Sequence, residues 1–189
     1  LLNRIRKSIE PILNKVASVL VLTNISPTGF SIISLFFAVL SGLAYSGVLG
    51  GWVIGGILIL ISGFFDIIDG TVARLTKSVS LYGSFIDSNF DRISEVIIYG
   101  GILLSKIGDP LVIFSTLSLS LMVSYARAKG ESLNIKLSGI GIGERAERLI
   151  ILAITSIIGY PYFGIIIILI LTTVTYIQRM VFTLTELRK

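Results

Sequence analysis

The chain has 189 residues, enough for one domain, with 53% hydrophobic and only 14% charged residues and a net charge of +5. A mean hydropathy of +0.93 is far from the soluble average and identifies an integral membrane protein. With neither cysteine nor histidine, disulfides, thiolate nucleophiles and imidazole chemistry are excluded, so a catalytic base or metal ligand falls to the eleven carboxylates. The excess of basic residues suits anionic headgroups or phosphates. It does not suit nucleic acid, because the basic residues alternate with apolar segments and form no single soluble patch.

Residues 1–22 carry Leu2, Ile5, Ile9, Ile12, Leu13, Val16 and Leu20 at helical spacing, with Arg4, Arg6, Lys7, Glu10 and Lys15 between them. This pattern predicts an amphipathic helix in the membrane interface, the solvated helix of a bundle being the alternative. The chain opens at Leu1 with neither a methionine nor a cleavable signal, as a fragment of a longer protein would. Thr23-Asn24-Ile25-Ser26-Pro27-Thr28 is a turn leading into a helix start.

Residues 23–189 then form a single transmembrane domain of about six apolar segments, each near the roughly 20 residues that cross a bilayer. The expected spans are about 28–46, 52–74, 84–105, 110–129, 145–159 and 163–182. The expected fold is therefore all-α: six transmembrane helices preceded by an interfacial amphipathic helix.

Basic residues orient it. Arg4, Arg6, Lys7 and Lys15 precede the first span, and Arg74 and Lys77 follow the second. Arg127, Lys129, Lys136, Arg145 and Arg148 surround the link between the fourth and fifth spans, and Arg179, Arg188 and Lys189 end the chain. The opposite side offers Lys106 alone. The asymmetry predicts that both termini face the cytoplasm.

Four aspartates stand out against this background. Asp66 and Asp69 are spaced i, i+3 near the end of one span, and Asp87 and Asp91 i, i+4 near the start of the next. Each pair shares a helix face, and the short link makes the two helices antiparallel neighbours. All four then converge on a cytoplasmic opening. Charges at membrane depth are costly and mark function. An all-oxygen set suits Mg²⁺ or Mn²⁺, and also Ca²⁺, and four carboxylates can hold two ions about 3.5–4 Å apart for displacement at phosphorus. Gly70 and Gly83 allow close approach of a backbone or ligand, Ala73 is small on the same face as Asp66, and Arg74 can pair with a phosphate. Proton or sodium sites of an ion-coupled transporter, structural pairing with Arg74 and Arg92, and glycines serving helix packing are the alternatives.

The pattern Asp-x2-Asp-Gly-x2-Ala-Arg-x8-Gly-x3-Asp-x3-Asp from Asp66 to Asp91 resembles the signature of the CDP-alcohol phosphotransferase family, with every specified position present. The resemblance covers most of the chain and implies attack by an alcohol on the β-phosphorus of a CDP-linked alcohol, with release of CMP. It implies that Asp66, Asp69, Asp87 and Asp91 bind two divalent ions, Mg²⁺ or Mn²⁺, with Asp91 also the general base. It places Asp66, Asp69, Gly70, Ala73, Arg74, Gly83 and Asp87 around the cytidine diphosphate, and it implies a homodimer.

Asp87-Ser88-Asn89-Phe90-Asp91-Arg92-Ile93-Ser94-Glu95, Ser124-Tyr125-Ala126-Arg127-Ala128-Lys129 and Glu144-Arg145-Ala146-Glu147-Arg148-Leu149 resemble the members that use inositol phosphate. By that resemblance Arg127, Lys129, Arg145, Arg148 and Arg179 hold the acceptor's phosphate, the alternative being positive-inside topology alone. The expected partners are a CDP-linked lipid, built on archaeol or diacylglycerol, and a phosphorylated polyol. Glycerol phosphate, or two soluble substrates as in di-inositol-phosphate phosphate synthesis, are alternative acceptor chemistries.

Overall fold

Apolar runs bounded by strong stop and start residues become seven helices in the computed structural model, which describes residues 2–188, with side chains described from Glu10. They are α1 (Leu2–Val21), α2 (Pro27–Tyr45), α3 (Trp52–Leu75), α4 (Leu81–Leu104), α5 (Pro110–Ser132), α6 (Arg145–Ile157) and α7 (Pro161–Glu186). No strand occurs among the described residues. Helix starts follow the local chemistry. Ser26 Oγ accepts from Gly29 N at 3.1 Å ahead of α2, and Ser80 Oγ accepts from Gly83 N at 3.0 Å ahead of α4. Asp109 Oδ1 accepts from Leu111 N at 2.8 Å ahead of α5, where Pro110 occupies a position that needs no donor. Glu144 and Glu147 form a reciprocal capping box at the start of α6.

Four helices, α2, α3, α5 and α7, are long and apolar enough to cross a membrane. Helix α4 falls outside that set because it carries Asp87, Asp91, Arg92 and Glu95, and α6 because it is only 13 residues long. The second half of α1 is docked: Ala17 is fully buried in a cluster with Phe30, Ile68 and Val72, flanked by Val16, Leu20 and Val21. The expected basic stretch Arg4, Arg6 and Lys7 lies among side chains outside the described set, as does Lys189.

Where lipid weakens the hydrophobic drive between helices, small residues and hydrogen bonds supply the contact. Ser34 Oγ donates to Ser62 O, and Ser62 Oγ to Ser34 O, each at 2.9 Å, tying α2 to α3. Helices α2 and α4 touch backbone to backbone, since a Cβ on Gly101 would run into the Gly42 carbonyl. Tyr45 and Ser156 hydroxyls meet at 2.5 Å between α2 and α6. The larger core, with Tyr45, Ile59, Ile98, Tyr99, Leu152 and Ile168, holds α2, α3, α4, α6 and α7 together at mid-bundle. That scaffold presents the end of α3, the beginning of α4 and the beginning of α6 at one side.

Candidate active site

The link Thr76–Ser80 between α3 and α4 turns through Lys77, whose φ of 53° is left-handed. This reversal brings the two acidic pairs together. Carboxylate oxygens of Asp66, Asp69 and Asp87 lie within 4.8 Å of one another. Asp69 is 5% exposed, and its Oδ2 accepts a 2.6 Å hydrogen bond from Ser31 Oγ on α2. Asp91 stands next to this trio, tied through Arg145: Arg145 Nη1 lies 2.7 Å from Asp91 Oδ1 and 3.2 Å from Asp66 Oδ1. Arg92 Nη1 approaches Asp91 Oδ2 at 3.6 Å and donates to Ser88 O at 2.6 Å.

The donor set fits divalent cations. Among the described residues Arg145 pairs with Asp66 and Asp91 and Arg92 with Asp91, while Asp69 and Asp87 have no cation paired to them in a partly dry cluster. Oxygen-only ligands favour hard ions such as Mg²⁺ and Mn²⁺.

A cavity of about 380 Å³ opens beside the trio. Six motif residues line it: Asp69, Gly70, Ala73, Arg74, Gly83 and Asp87. A Cβ on Gly70 would meet only Arg74 Nη1, at 3.4 Å, and one on Gly83 only Ser80 Oγ, at 3.2 Å. Neither glycine is pressed against a neighbouring helix, so helix packing does not account for them; both border open cavity. Arg74 is exposed on the wall and donates to Thr71 Oγ1 at 3.0 Å. Asp66 is absent from this lining and faces Arg145 instead. Pro27, Thr28, Ser31, Ser78, Val79, Ser80 and Ser84 complete the cavity wall. Pro27 and Thr28, which start α2, therefore also border the site, and Ser31 one turn on does the same.

The five basic residues expected to act together occupy different environments. Arg145, with an 18% exposed side chain, joins the acidic cluster. Arg148 is 2% exposed; its Nη2 donates to Glu95 Oε1 at 2.6 Å and its Nη1 to Gly143 O at 2.9 Å. Arg179, also 2% exposed, donates to Ile140 O at 2.9 Å and to Val123 O at 2.7 Å. Arg127 pairs with Glu131 at 2.9 Å, both half-exposed, and Lys129 is exposed. Glu95, the partner of Arg148, ends the stretch from Asp87 that resembles the inositol-phosphate-using members, and the resemblance assigns it no role. Its spacing of i+4 from Asp91 was the available signal.

The chain matches the CDP-alcohol phosphatidyltransferase family over residues 16–185. It is 35% identical over 179 residues to an archaetidylinositol phosphate synthase of Pyrococcus horikoshii, covering 95% of this chain and 94% of that one. An archaetidylinositol phosphate synthase of Methanothermobacter thermautotrophicus is 38% identical over 190 residues, with 97% and 92% covered. The phosphatidylinositol phosphate synthase of Mycobacterium tuberculosis, solved with CDP-DAG bound, has the same fold, with a TM-score of 0.80, 22% identity and coverage of 92% and 94%. A second structure of that enzyme, with manganese and citrate, superposes with a TM-score of 0.79, at 22% identity and with 92% and 89% covered. With six of the eight motif residues lining one cavity, Asp66 and Asp91 beside it, and a match running over residues 16–185, the transporter alternative gives way: the chain is an enzyme of the CDP-alcohol phosphatidyltransferase family.

Proposed function

We propose that this membrane enzyme transfers a phosphatidyl-type group from a CDP-linked lipid to inositol phosphate and releases CMP. The observation that carries the reading is the position of the acidic cluster between two differently built surroundings. On one side lies the glycine-bordered cavity with Arg74; on the other lies Arg145, directed at Asp66 and Asp91. The archaetidylinositol phosphate synthases among the relatives support the choice of acceptor and favour an archaeol-based donor.

In this reading Gly70, Ala73 and Gly83 border the space for the cytidine diphosphate, and Arg74 pairs with its phosphate oxygens. Asp66, Asp69, Asp87 and Asp91 hold two ions, Mg²⁺ or Mn²⁺. When bound, these ions supply charge neutralisation for the diphosphate and for the departing CMP. Asp91 takes the proton of the acceptor hydroxyl. The oxygen forms a bond to the β-phosphorus, and the bond from that phosphorus to the CMP oxygen breaks. Arg145 holds the acceptor phosphate. Arg127 and Lys129, farther out on α5, contribute positive potential to its approach, and Arg148 and Arg179 support the site from within.

In this reading α4 and α6 join the four apolar helices as membrane crossings and α1 lies at the interface, and the asymmetry of basic residues supports an opening and termini that face the cytoplasm. A homodimer is part of the same reading. The test is CMP release by purified protein given CDP-archaeol or CDP-diacylglycerol with inositol phosphate, glycerol phosphate or inositol. Release must depend on inositol phosphate; release with glycerol phosphate alone would reassign the acceptor.

A further inference from the structure

Helices α4 and α6 are joined by two ion pairs, one turn apart on each helix. Asp91 and Glu95 on α4 are spaced i, i+4, and Arg145 and Arg148 on α6 are spaced i, i+3. The inner pair, Glu95 with Arg148, is 1% and 2% exposed at 2.6 Å. The outer pair, Asp91 with Arg145, is 19% and 18% exposed at 2.7 Å.

These pairs differ in what happens when each is broken. Withdrawing Arg148 strands a buried carboxylate with no other cation paired to it among the described residues. Arg148 also holds Gly143 O, and Gly143 N donates to Thr175 Oγ1 at 2.9 Å, so the approach to α6 depends on it. Withdrawing Arg145 leaves Asp66 and Asp91, which a divalent cation can neutralise in its place. Arg145 Nη1 is shared between oxygens of both residues, so the guanidinium and a cation held by the same two oxygens compete for one position. Nε of Arg145 and Nε of Arg148 are both buried with no hydrogen-bond partner among the described residues, so what separates the two arginines is the Nη1 of Arg145 shared between Asp66 and Asp91.

Resting on the acceptor reading above, we propose that Arg145 is an exchangeable counter-ion that leaves Asp66 and Asp91 as divalent cations bind and engages the acceptor's phosphate, while the buried Glu95–Arg148 pair holds α6 in place. Cation binding and acceptor binding are then coupled through one side chain. The acceptor site is completed only when the carboxylates carry metal, which orders the acceptor after the cation and keeps Asp91 from being blocked by Arg145.

The experiment is Mn²⁺ binding to the purified full chain, read from the electron paramagnetic resonance signal of free Mn²⁺, with and without inositol phosphate and with inositol as the unphosphorylated control. In the wild type, inositol phosphate should tighten Mn²⁺ binding by about five-fold or more, within the usual range of coupling between sites, and inositol should not. In Arg145→Gln, Mn²⁺ alone should bind more tightly than in the wild type, and inositol phosphate should add nothing. Coupling of undiminished size in Arg145→Gln would mean that phosphate and metal attract each other directly, and would overturn the proposal. So would absence of coupling in the wild type, which decides the matter even if the variant cannot be purified. CMP release is measured on the same wild-type preparation. Turnover with inositol phosphate but no coupling defeats the exchange and leaves the acceptor assignment standing. Turnover only with another phosphorylated acceptor defeats the assignment, and the Mn²⁺ titration is then decided with that acceptor.

Discussion

Glu95 and Arg148 meet at 2.6 Å inside the bundle, 1% and 2% exposed, and join α4 to α6 at the level just beyond the active carboxylates. Such a pair adds little net stability relative to well-packed apolar residues, but losing one member is severe because the other remains charged and dry. Glu95→Ala is expected to lower stability by about 3–5 kcal/mol, and the double replacement by methionine to recover much of that loss. Thermal unfolding midpoints in detergent check both.

Asp91→Asn removes the proton acceptor while preserving size. The variant should fold and bind CDP-lipid normally yet lose about 10²–10⁴-fold in turnover. Binding of the nucleotide lipid and CMP release, measured in parallel, separate this from a loss of structure; normal CMP release would end the assignment of Asp91 as base.

Two glycines that look alike in sequence should respond in opposite ways. Gly70 borders the cavity, where an added Cβ meets only the end of Arg74, whereas Gly101 lies against the backbone of Gly42. Gly70→Leu should leave the melting temperature close to wild type but weaken CDP-lipid binding by about 5- to 150-fold, the equivalent of 1–3 kcal/mol of steric conflict. Gly101→Ala should destabilise the bundle by about 1–3 kcal/mol, and at equal folded protein should leave CDP-lipid affinity unchanged.

Ser31 orients Asp69 through its 2.6 Å hydrogen bond. Groups that orient metal ligands typically matter 10- to 100-fold, so Ser31→Ala should weaken Mn²⁺ binding by about 10-fold. Chelation by EDTA should abolish CMP release from the wild type, with recovery on adding Mg²⁺ or Mn²⁺.

Arg127→Ala combined with Arg145→Ala should raise the KM for inositol phosphate far more than that for the CDP-lipid. Steady-state kinetics with each substrate varied in turn provide the comparison, and an unchanged acceptor KM removes these residues from the acceptor site.

The linear chain was enough to determine the helices. Expected spans of 28–46, 52–74 and 110–129 correspond to Pro27–Tyr45, Trp52–Leu75 and Pro110–Ser132, because apolar length and the Pro, Ser and Asp residues at the boundaries act locally. Local spacing also placed Asp66 with Asp69 and Asp87 with Asp91, since 3.6 residues per turn fixes which side chains share a face. The short link suggests that α3 and α4 pack as antiparallel neighbours, but both pack mainly on α2 instead, and it is that shared support which lets Asp66, Asp69 and Asp87 converge. What tertiary structure alone decided was which long side chain meets which partner. Arg145 and Arg148 are three residues apart and chemically identical, yet one reaches Asp66 and Asp91 and the other reaches Glu95, 53 residues away in sequence. Ser31 finds Asp69 across 38 residues, and Gly42 finds Gly101 only because α2 and α4 cross there. Helical periodicity is a property of neighbours along the chain, whereas these partnerships depend on how helices are rotated and crossed, which is set by packing of the whole bundle.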